Sequence, residues 1–135
     1  MAGRPACAGV ADKQRVVMNT FIIAEVACTW HTASSEMTMF GELVDSVAAC
    51  GVQAIKTQWT SSPSRMALRR KMDGNPYYYL NWPEWWMPEM AKICGEVGIE
   101  FMCTAYLPED VAIIDTYVKR HKGASLENGP NIRVL

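Results

Sequence analysis

The chain has 135 residues, of which 50% are hydrophobic and 20% charged, a composition that excludes a disordered chain. Its formal net charge is −1, so no overall field would attract nucleic acid or an anionic membrane. The longest apolar runs, such as Phe21 to Ala27, are too short to cross a bilayer, and the sequence from Met1 to Arg15 lacks the apolar core of a secretory signal. We therefore expect a soluble protein with no nucleic-acid or membrane partner.

Five cysteines are spread along the chain, and no two have the CxxC spacing typical of zinc or redox sites. They are Cys7, Cys28, Cys50, Cys94 and Cys103. Free thiols in or beside apolar segments usually pack as small hydrophobic groups. The cysteine pattern therefore predicts a reducing environment, and we expect a cytoplasmic protein.

The first half of the chain predicts a strand, a helix and a second strand. Phe21 to Ala27 is a short aliphatic and β-branched run typical of a buried strand. Ser34 and Ser35 are helix-starting residues, and apolar residues then recur at helical spacing until Gly51. Val52 to Thr60 is rich in strand formers and is closed by the breaker sequence SSPS.

The second half repeats this alternation after a less regular stretch with the aromatic run YYYLNWPEWW. A helix is predicted from about Trp85 to Val97, ended by Gly98, and a third strand from Ile99 to Tyr106. Pro108 opens another helix, PEDVAIIDTYV, and KGASLE is a candidate fourth strand. This alternation indicates an α/β fold of right-handed parallel βαβ units, without distinguishing a barrel segment from a small open sheet.

Polar side chains stand near the carboxyl end of each predicted strand. They are Glu25, Lys56, Gln58, Thr104, Lys122, Ser125 and Glu127. In parallel α/β proteins these ends converge on one mouth, which carries the chemistry. Because an unpaired buried charge is costly, such residues need a partner or a ligand. Two interpretations are open at this point: a functional site, or a structural ion pair between Glu25 and Lys56.

Four segments together resemble one enzyme family. FIIAEVACTWH has an aliphatic run, AE and a histidine; AIKTQW has a lysine and a glutamine two residues apart. VGIEFMCTAYLPEDV has a GI-aliphatic strand with a threonine before the turn, and HKGASLEN has a lysine, a serine, a glutamate and an asparagine in that order. In this order the segments resemble the sialic acid synthase (NeuB-like) family, over Phe21 to Asn128.

The resemblance implies a TIM-type (β/α)8 barrel, of which this chain would form the N-terminal half. Residues 1–20 would be an N-terminal extension, 21–128 a partial barrel domain and 129–135 a short tail. The family condenses phosphoenolpyruvate with an N-acetyl hexosamine, such as N-acetylmannosamine, and uses a divalent metal, manganese or magnesium. Because its metal-binding histidines come from the second half of the barrel, the resemblance implies no metal ligand in this chain.

Residue roles follow from the resemblance position by position. It makes Glu25 a proton-handling carboxylate and places the phosphate of phosphoenolpyruvate against Lys56, Lys122 and Ser125. Other substrate contacts would come from Gln58, Asn75 and Thr104. The chain departs from the family pattern at Trp30, which takes the place of an asparagine before His31, and at Gly123, which replaces an aliphatic residue.

Other conspicuous residues have simpler interpretations. The two histidines, His31 and His121, are too far apart in sequence to indicate a metal site. The aromatic run favours packing over sugar stacking. Four basic residues could screen an anionic substrate, but such a cluster is usually a solvated face; they are Arg65, Arg69, Arg70 and Lys71.

A half-barrel would expose two sheet edges, so we expect it to form a homo-oligomer or to dock onto a missing C-terminal half. The competing interpretation is a non-catalytic binding or assembly module derived from the same barrel. Another phosphoenolpyruvate-using aldolase-type barrel explains the AE, KxQ and KxxSxE segments less well.

Overall fold

The structure is a computed structural model that describes residues 20–31 and 36–124. Strands and helices alternate along these ranges. They are β1 (Ile23–Ala27), α1 (Glu36–Ala49), β2 (Ala54–Trp59), α2 (Pro63–Arg69), a 3₁₀ helix (Tyr78–Leu80), α3 (Trp86–Glu96), β3 (Glu100–Ala105), α4 (Pro108–Ile114) and β4 (His121–Gly123). The predicted α/β class is confirmed.

Two glycines end the long helices, as the sequence predicted. Gly51 follows α1 with φ of +79°, and Gly98 follows α3 with φ of +78°. Side chains of L-residues rarely adopt this left-handed conformation, whereas glycine adopts it at little cost. Both glycines therefore turn the chain from a helix back towards the sheet.

All strand pairings are parallel, and the strand order in the sheet is β1-β2-β3-β4. Each strand thus pairs with its neighbour in the sequence, and a helical connection separates the two. This order is compatible with a segment of a (β/α)8 barrel.

One face of the sheet packs against the helices. Ile55 of β2 and Phe101 of β3 belong to the same apolar core as Phe40 and Val44 of α1 and Met90 of α3. The core positions of β2 and β3 alternate along each strand, as expected when one face is covered by helices. The other face therefore carries the side chains in between.

The centre of that second face is also buried. Ala54 and Lys56 of β2, and Met102 and Thr104 of β3, are each less than 5% exposed. Parallel strands are usually buried on both faces, so the two central strands of this sheet are of the ordinary kind.

The end of the described chain differs from the sequence prediction. Helix α4 stops at Ile114, four residues before the predicted end, and a turn leads to Val118. Thr116 and Tyr117 are weak helix formers, and the chain has to return to the sheet by His121. Strand β4 begins one residue before the predicted Lys122 and ends at Gly123; the rest of the predicted strand, from Ser125, lies outside the described residues.

Candidate functional site

The strand register brings the predicted polar residues together on the face away from the helices. Lys56 lies opposite Glu25 of β1, and Gln58 lies opposite Thr104 of β3. Thr104 in turn lies opposite Lys122 of β4. Because parallel strands point the same way, these residues cluster towards the carboxyl edge of the sheet.

A cavity of about 250 Å³ opens at this edge. Its lining contains three cationic side chains and is otherwise polar or small: Lys56, Gln58, Arg70, Thr104, Tyr106, Lys122 and Ala124. Four residues predicted from the sequence thus share one cavity. They are Lys56, Gln58, Thr104 and Lys122.

Glu25 joins this group through an ion pair with Lys56. The lysine side chain is only 4% exposed, whereas that of Glu25 is 53% exposed. The Glu25 carboxylate also accepts a hydrogen bond of 3.0 Å from the backbone N–H of Ala27. The buried ammonium group therefore has a negative partner at the water-exposed rim of the site.

A bulge in β1 directly follows Glu25. Glu25 faces Lys56 and Ala27 faces Thr57, so Val26 is an extra residue in β1. Ala27 has φ of +48°, a left-handed conformation that is uncommon for a residue with a side chain. Bulges and such strained residues are frequent beside functional sites because they re-aim neighbouring side chains.

Thr104 has a buried hydroxyl without a hydrogen-bond partner among the described residues. Its side chain lines the cavity and the residue is 1% exposed. A buried hydroxyl without a partner costs free energy, and a bound ligand would supply the missing hydrogen bond.

The backbone of Gln58 is held by two donors from outside the strand. The indole N–H of Trp82 donates to the Gln58 carbonyl oxygen at 2.9 Å, and the thiol of Cys28 donates to the same oxygen at 3.2 Å. Burial raises the pKa of the Cys28 thiol to about 11, so it stays protonated and can keep donating. This end of β2 is therefore rigidly placed.

Two polar lining residues, Arg70 and Tyr106, were not among the predicted site residues. Tyr106 follows Thr104 by two residues, a spacing that could have placed it on the same face. Arg70 was grouped with a solvated basic face, an interpretation that fits Arg65, which is exposed and pairs with Glu109. Arg70 instead lines the cavity.

Other predicted residues do not join the cavity. Asn75 is exposed in the loop after α2 and is not part of the lining. His31 packs edge-on against Trp30 and Trp86, with ring centroids 5.8 Å apart in both cases. His121 contacts Asp115, with 2.9 Å between ring Nε2 and the carboxylate. Ser125 lies outside the described residues.

Residues 20–31 and 36–124 contain no group of three or more His, Cys, Asp or Glu side chains that could hold a metal ion. No helix in the same ranges is both long and apolar enough to span a membrane.

The family comparison covers most of this site. The model of the NeuB family matches residues 43–133, which is more than half of the chain. The match includes β2, β3 and β4, with Lys56, Thr104 and Lys122, and begins after β1, so Glu25 lies outside it. No curated protein matches the chain significantly. On the family match, the chain belongs to the NeuB family.

Proposed function

We propose that the chain is a sialic-acid-synthase-like protein whose cavity binds phosphoenolpyruvate for condensation with an N-acetyl hexosamine such as N-acetylmannosamine. One observation carries this proposal: Lys56, Thr104 and Lys122 come from three different strands and line one cavity at the carboxyl edge of the sheet. Membership of the NeuB family supports a synthase-type reaction.

The proposal includes the barrel. Strands in chain order, all parallel and with helices packed on one face, are what the first four strands of a (β/α)8 barrel require. A doubly wound sheet would reverse its strand order and place helices on both faces. The four described strands would then form one side of the barrel mouth, facing a second half or another copy of the chain.

The two lysines suit a phosphate group that leaves during the reaction. Lysine ammonium groups are compact point charges, and paired cations stabilise the charge that grows on a departing phosphate. Thr104 would donate its unpaired hydroxyl hydrogen to a phosphate oxygen. Gln58 lies opposite Thr104 and would contact the same ligand, and Ser125 would complete the phosphate contacts.

Glu25 would handle protons at the rim of the mouth. Its carboxylate is held by the Ala27 N–H and by Lys56, yet is half exposed, so a sugar hydroxyl or aldehyde could approach it from water. A positioned carboxylate can accept or deliver a proton within hydrogen-bond reach of a substrate.

An assay of phosphate release tests the proposal. The chain is incubated with phosphoenolpyruvate, N-acetylmannosamine and manganese or magnesium, and released phosphate is measured for the native chain, Lys122→Ala and Lys119→Ala. Lys119 is an exposed lysine on the connection between α4 and β4, and it lines a cavity at the opposite end of the strands. We expect Lys122→Ala to lower the rate about tenfold or more and Lys119→Ala to leave it unchanged.

Equal rates for the two variants would contradict the proposal. If the native chain binds phosphoenolpyruvate but releases no phosphate, the alternative of a non-catalytic binding module gains support. The Glu25–Lys56 ion pair favours that alternative, because it satisfies the buried lysine without any substrate. A separately produced second half of a family barrel is then added to the chain. Phosphate release that appears on this addition indicates a split enzyme, and continued absence of release indicates a binding module.

A further inference from the structure

The cavity contains an arginine to which the family resemblance gives no role. We infer that Arg70 binds the carboxylate of phosphoenolpyruvate while the two lysines hold its phosphate. This inference rests on the proposed function and adds to it the way the second anionic group of the substrate is recognised.

The end of α2 places Arg70 at the cavity. The backbone N–H of Arg70 donates to the Met66 carbonyl at 3.1 Å, and Lys71 then adopts φ of +53°, which ends the helix. The Met72 N–H closes this turn by donating to the Ala67 carbonyl at 2.9 Å. The left-handed residue reverses the chain here, so Arg70 is the C-cap residue that follows α2, just before the loop leaves the mouth.

An aromatic ring supports the guanidinium group. The Arg70 Cζ lies 5.5 Å from the centroid of the Tyr77 ring, within the range of a cation–π contact. The Tyr77 hydroxyl donates to the Met72 sulfur at 3.1 Å, which ties the ring to the turn after α2. The cation is therefore held in place before a ligand arrives, which lowers the entropic cost of binding.

The two nearest arginines do not line the cavity. Arg65 pairs with Glu109 at the surface, and Arg69 donates to the Tyr106 carbonyl oxygen at 3.2 Å. Of these three arginines, Arg70 is the one that lines the cavity.

The charges of the cavity match a ligand with two anionic groups. Lys56 is already paired with Glu25, whereas Lys122 forms no ion pair within the described ranges. Two lysines suit a phosphate, and the planar fork of a guanidinium group matches the two oxygens of a carboxylate. Phosphoenolpyruvate carries both groups on one carbon atom of a small molecule, which suits a cavity of about 250 Å³.

Tyr106 supplies a neutral donor beside Arg70. Burial raises the pKa of the Tyr106 phenol above its ordinary value, and the nearby charge of Arg70 acts in the opposite direction. The phenol therefore stays protonated at neutral pH and can donate to an anion.

The test compares two ligands on matched variants of the full chain. Binding of phosphoenolpyruvate and of inorganic phosphate is measured by calorimetry for the native chain, Arg70→Gln and Arg65→Gln. We expect Arg70→Gln to lower the affinity for phosphoenolpyruvate about ten- to hundredfold and the affinity for phosphate less than about twofold. Only phosphoenolpyruvate has a carboxylate. Arg65→Gln is the same substitution within α2, five residues before Arg70, and should change the affinity for neither ligand.

The outcomes separate this inference from the function on which it rests. An unchanged affinity of Arg70→Gln for phosphoenolpyruvate, or an equal loss for both ligands, overturns the assignment of Arg70 and leaves the proposed function standing. A native chain that binds neither ligand overturns both. Thermal melting checks that the variants fold. If Arg70→Gln does not fold, Arg70→Lys takes its place, because it keeps the charge and loses the planar fork. The loss of affinity for phosphoenolpyruvate is then compared with that for phosphate in the same way.

Discussion

Lys56 and Glu25 face each other across β1 and β2 and form an ion pair in which the lysine is buried and the glutamate is half exposed. The two partners therefore depend on the pair unequally. Removing the glutamate charge leaves a desolvated ammonium group without a counter-ion, whereas removing the lysine leaves a carboxylate that water can reach.

We accordingly expect Glu25→Gln to lower the free energy of unfolding by about 1–2 kcal/mol and Lys56→Met by less than about 1 kcal/mol. Methionine keeps the apolar stem of the lysine, so packing is conserved. Urea denaturation of the two variants gives both values. A larger loss of unfolding free energy for Lys56→Met than for Glu25→Gln would contradict the idea that the buried lysine depends on the glutamate.

Asp110 links the exit of β2 to the start of α4. The residue is 0% exposed, and its carboxylate accepts from the Ser61 N–H at 2.9 Å, the Ser61 hydroxyl at 2.5 Å and the Leu107 N–H at 3.1 Å. Asp110→Asn would turn one acceptor into a donor that faces another donor. We expect a loss of about 2–3 kcal/mol in thermal or urea unfolding.

The adjacent Glu109 provides the control for Asp110. Its side chain is 36% exposed and pairs with Arg65 at the surface, so Glu109→Gln should cost less than about 1 kcal/mol. Similar losses for the two variants would mean that the link between β2 and α4 contributes little to stability.

Trp82 holds two parts of the core together. Its carbonyl oxygen accepts from the Trp59 indole at 2.8 Å, its own indole donates to Gln58, and its ring stacks on Trp86 at an interplanar angle of 14°. Trp82→Phe removes the donor and leaves a cavity, so we expect a loss of about 2–3 kcal/mol. Trp85→Phe, at a position 71% exposed, should change stability by less than about 0.5 kcal/mol in the same denaturation experiment.

The cysteines should differ in their reaction with iodoacetamide. Burial raises the pKa of Cys28 from 9.0 to about 11, and those of Cys94 and Cys103 to about 12. The thiolate is the reactive form. A thiol whose pKa rises from 9.0 to about 11 therefore has a thiolate fraction at about pH 8 that is roughly a hundredfold lower. Of the four cysteines that the structure describes, we expect exposed Cys50 to be alkylated first, as read by mass spectrometry of peptides.

The pH dependence of this labelling gives a second check. For Cys28 the rate should still rise about tenfold per pH unit between about pH 8 and 10, since its thiol is mostly protonated over that range. A rate that levels off near pH 9 would contradict the raised pKa. In urea the described cysteines should react at similar rates, because unfolding removes the burial.

Much of the candidate site could be predicted from alternation along the strands. Lys56 and Gln58 are two residues apart, and the parallel order brought them beside Thr104 and Lys122 as the polar strand ends suggested. The same rule applied two residues beyond Thr104 would have added Tyr106. These placements depend only on strand geometry, which a sequence encodes directly.

Arg70 could not be placed in this way. Its position depends on the end of α2, where Lys71 adopts a left-handed conformation that usually calls for glycine or asparagine. The ion pair between Glu25 and Lys56 was one of the two interpretations that the sequence left open, whereas the bulge at Val26, which directly follows Glu25 in β1, had no signal in the sequence. Helix ends without glycine and bulges are set by tertiary contacts, which local sequence patterns do not report.

The order of the four strands also has a consequence for how the protein folds during its synthesis. Each new strand pairs with the strand translated just before it, so β2 has its partner in β1 as soon as it leaves the ribosome, and β3 then adds to the edge of β2. Among the described strands, β1 waits only for the next strand, and each later strand finds its partner already made. The sheet can therefore grow in the direction of translation, one strand and one helix at a time, while the outer edge of β1 stays at one side and the newest strand forms the other.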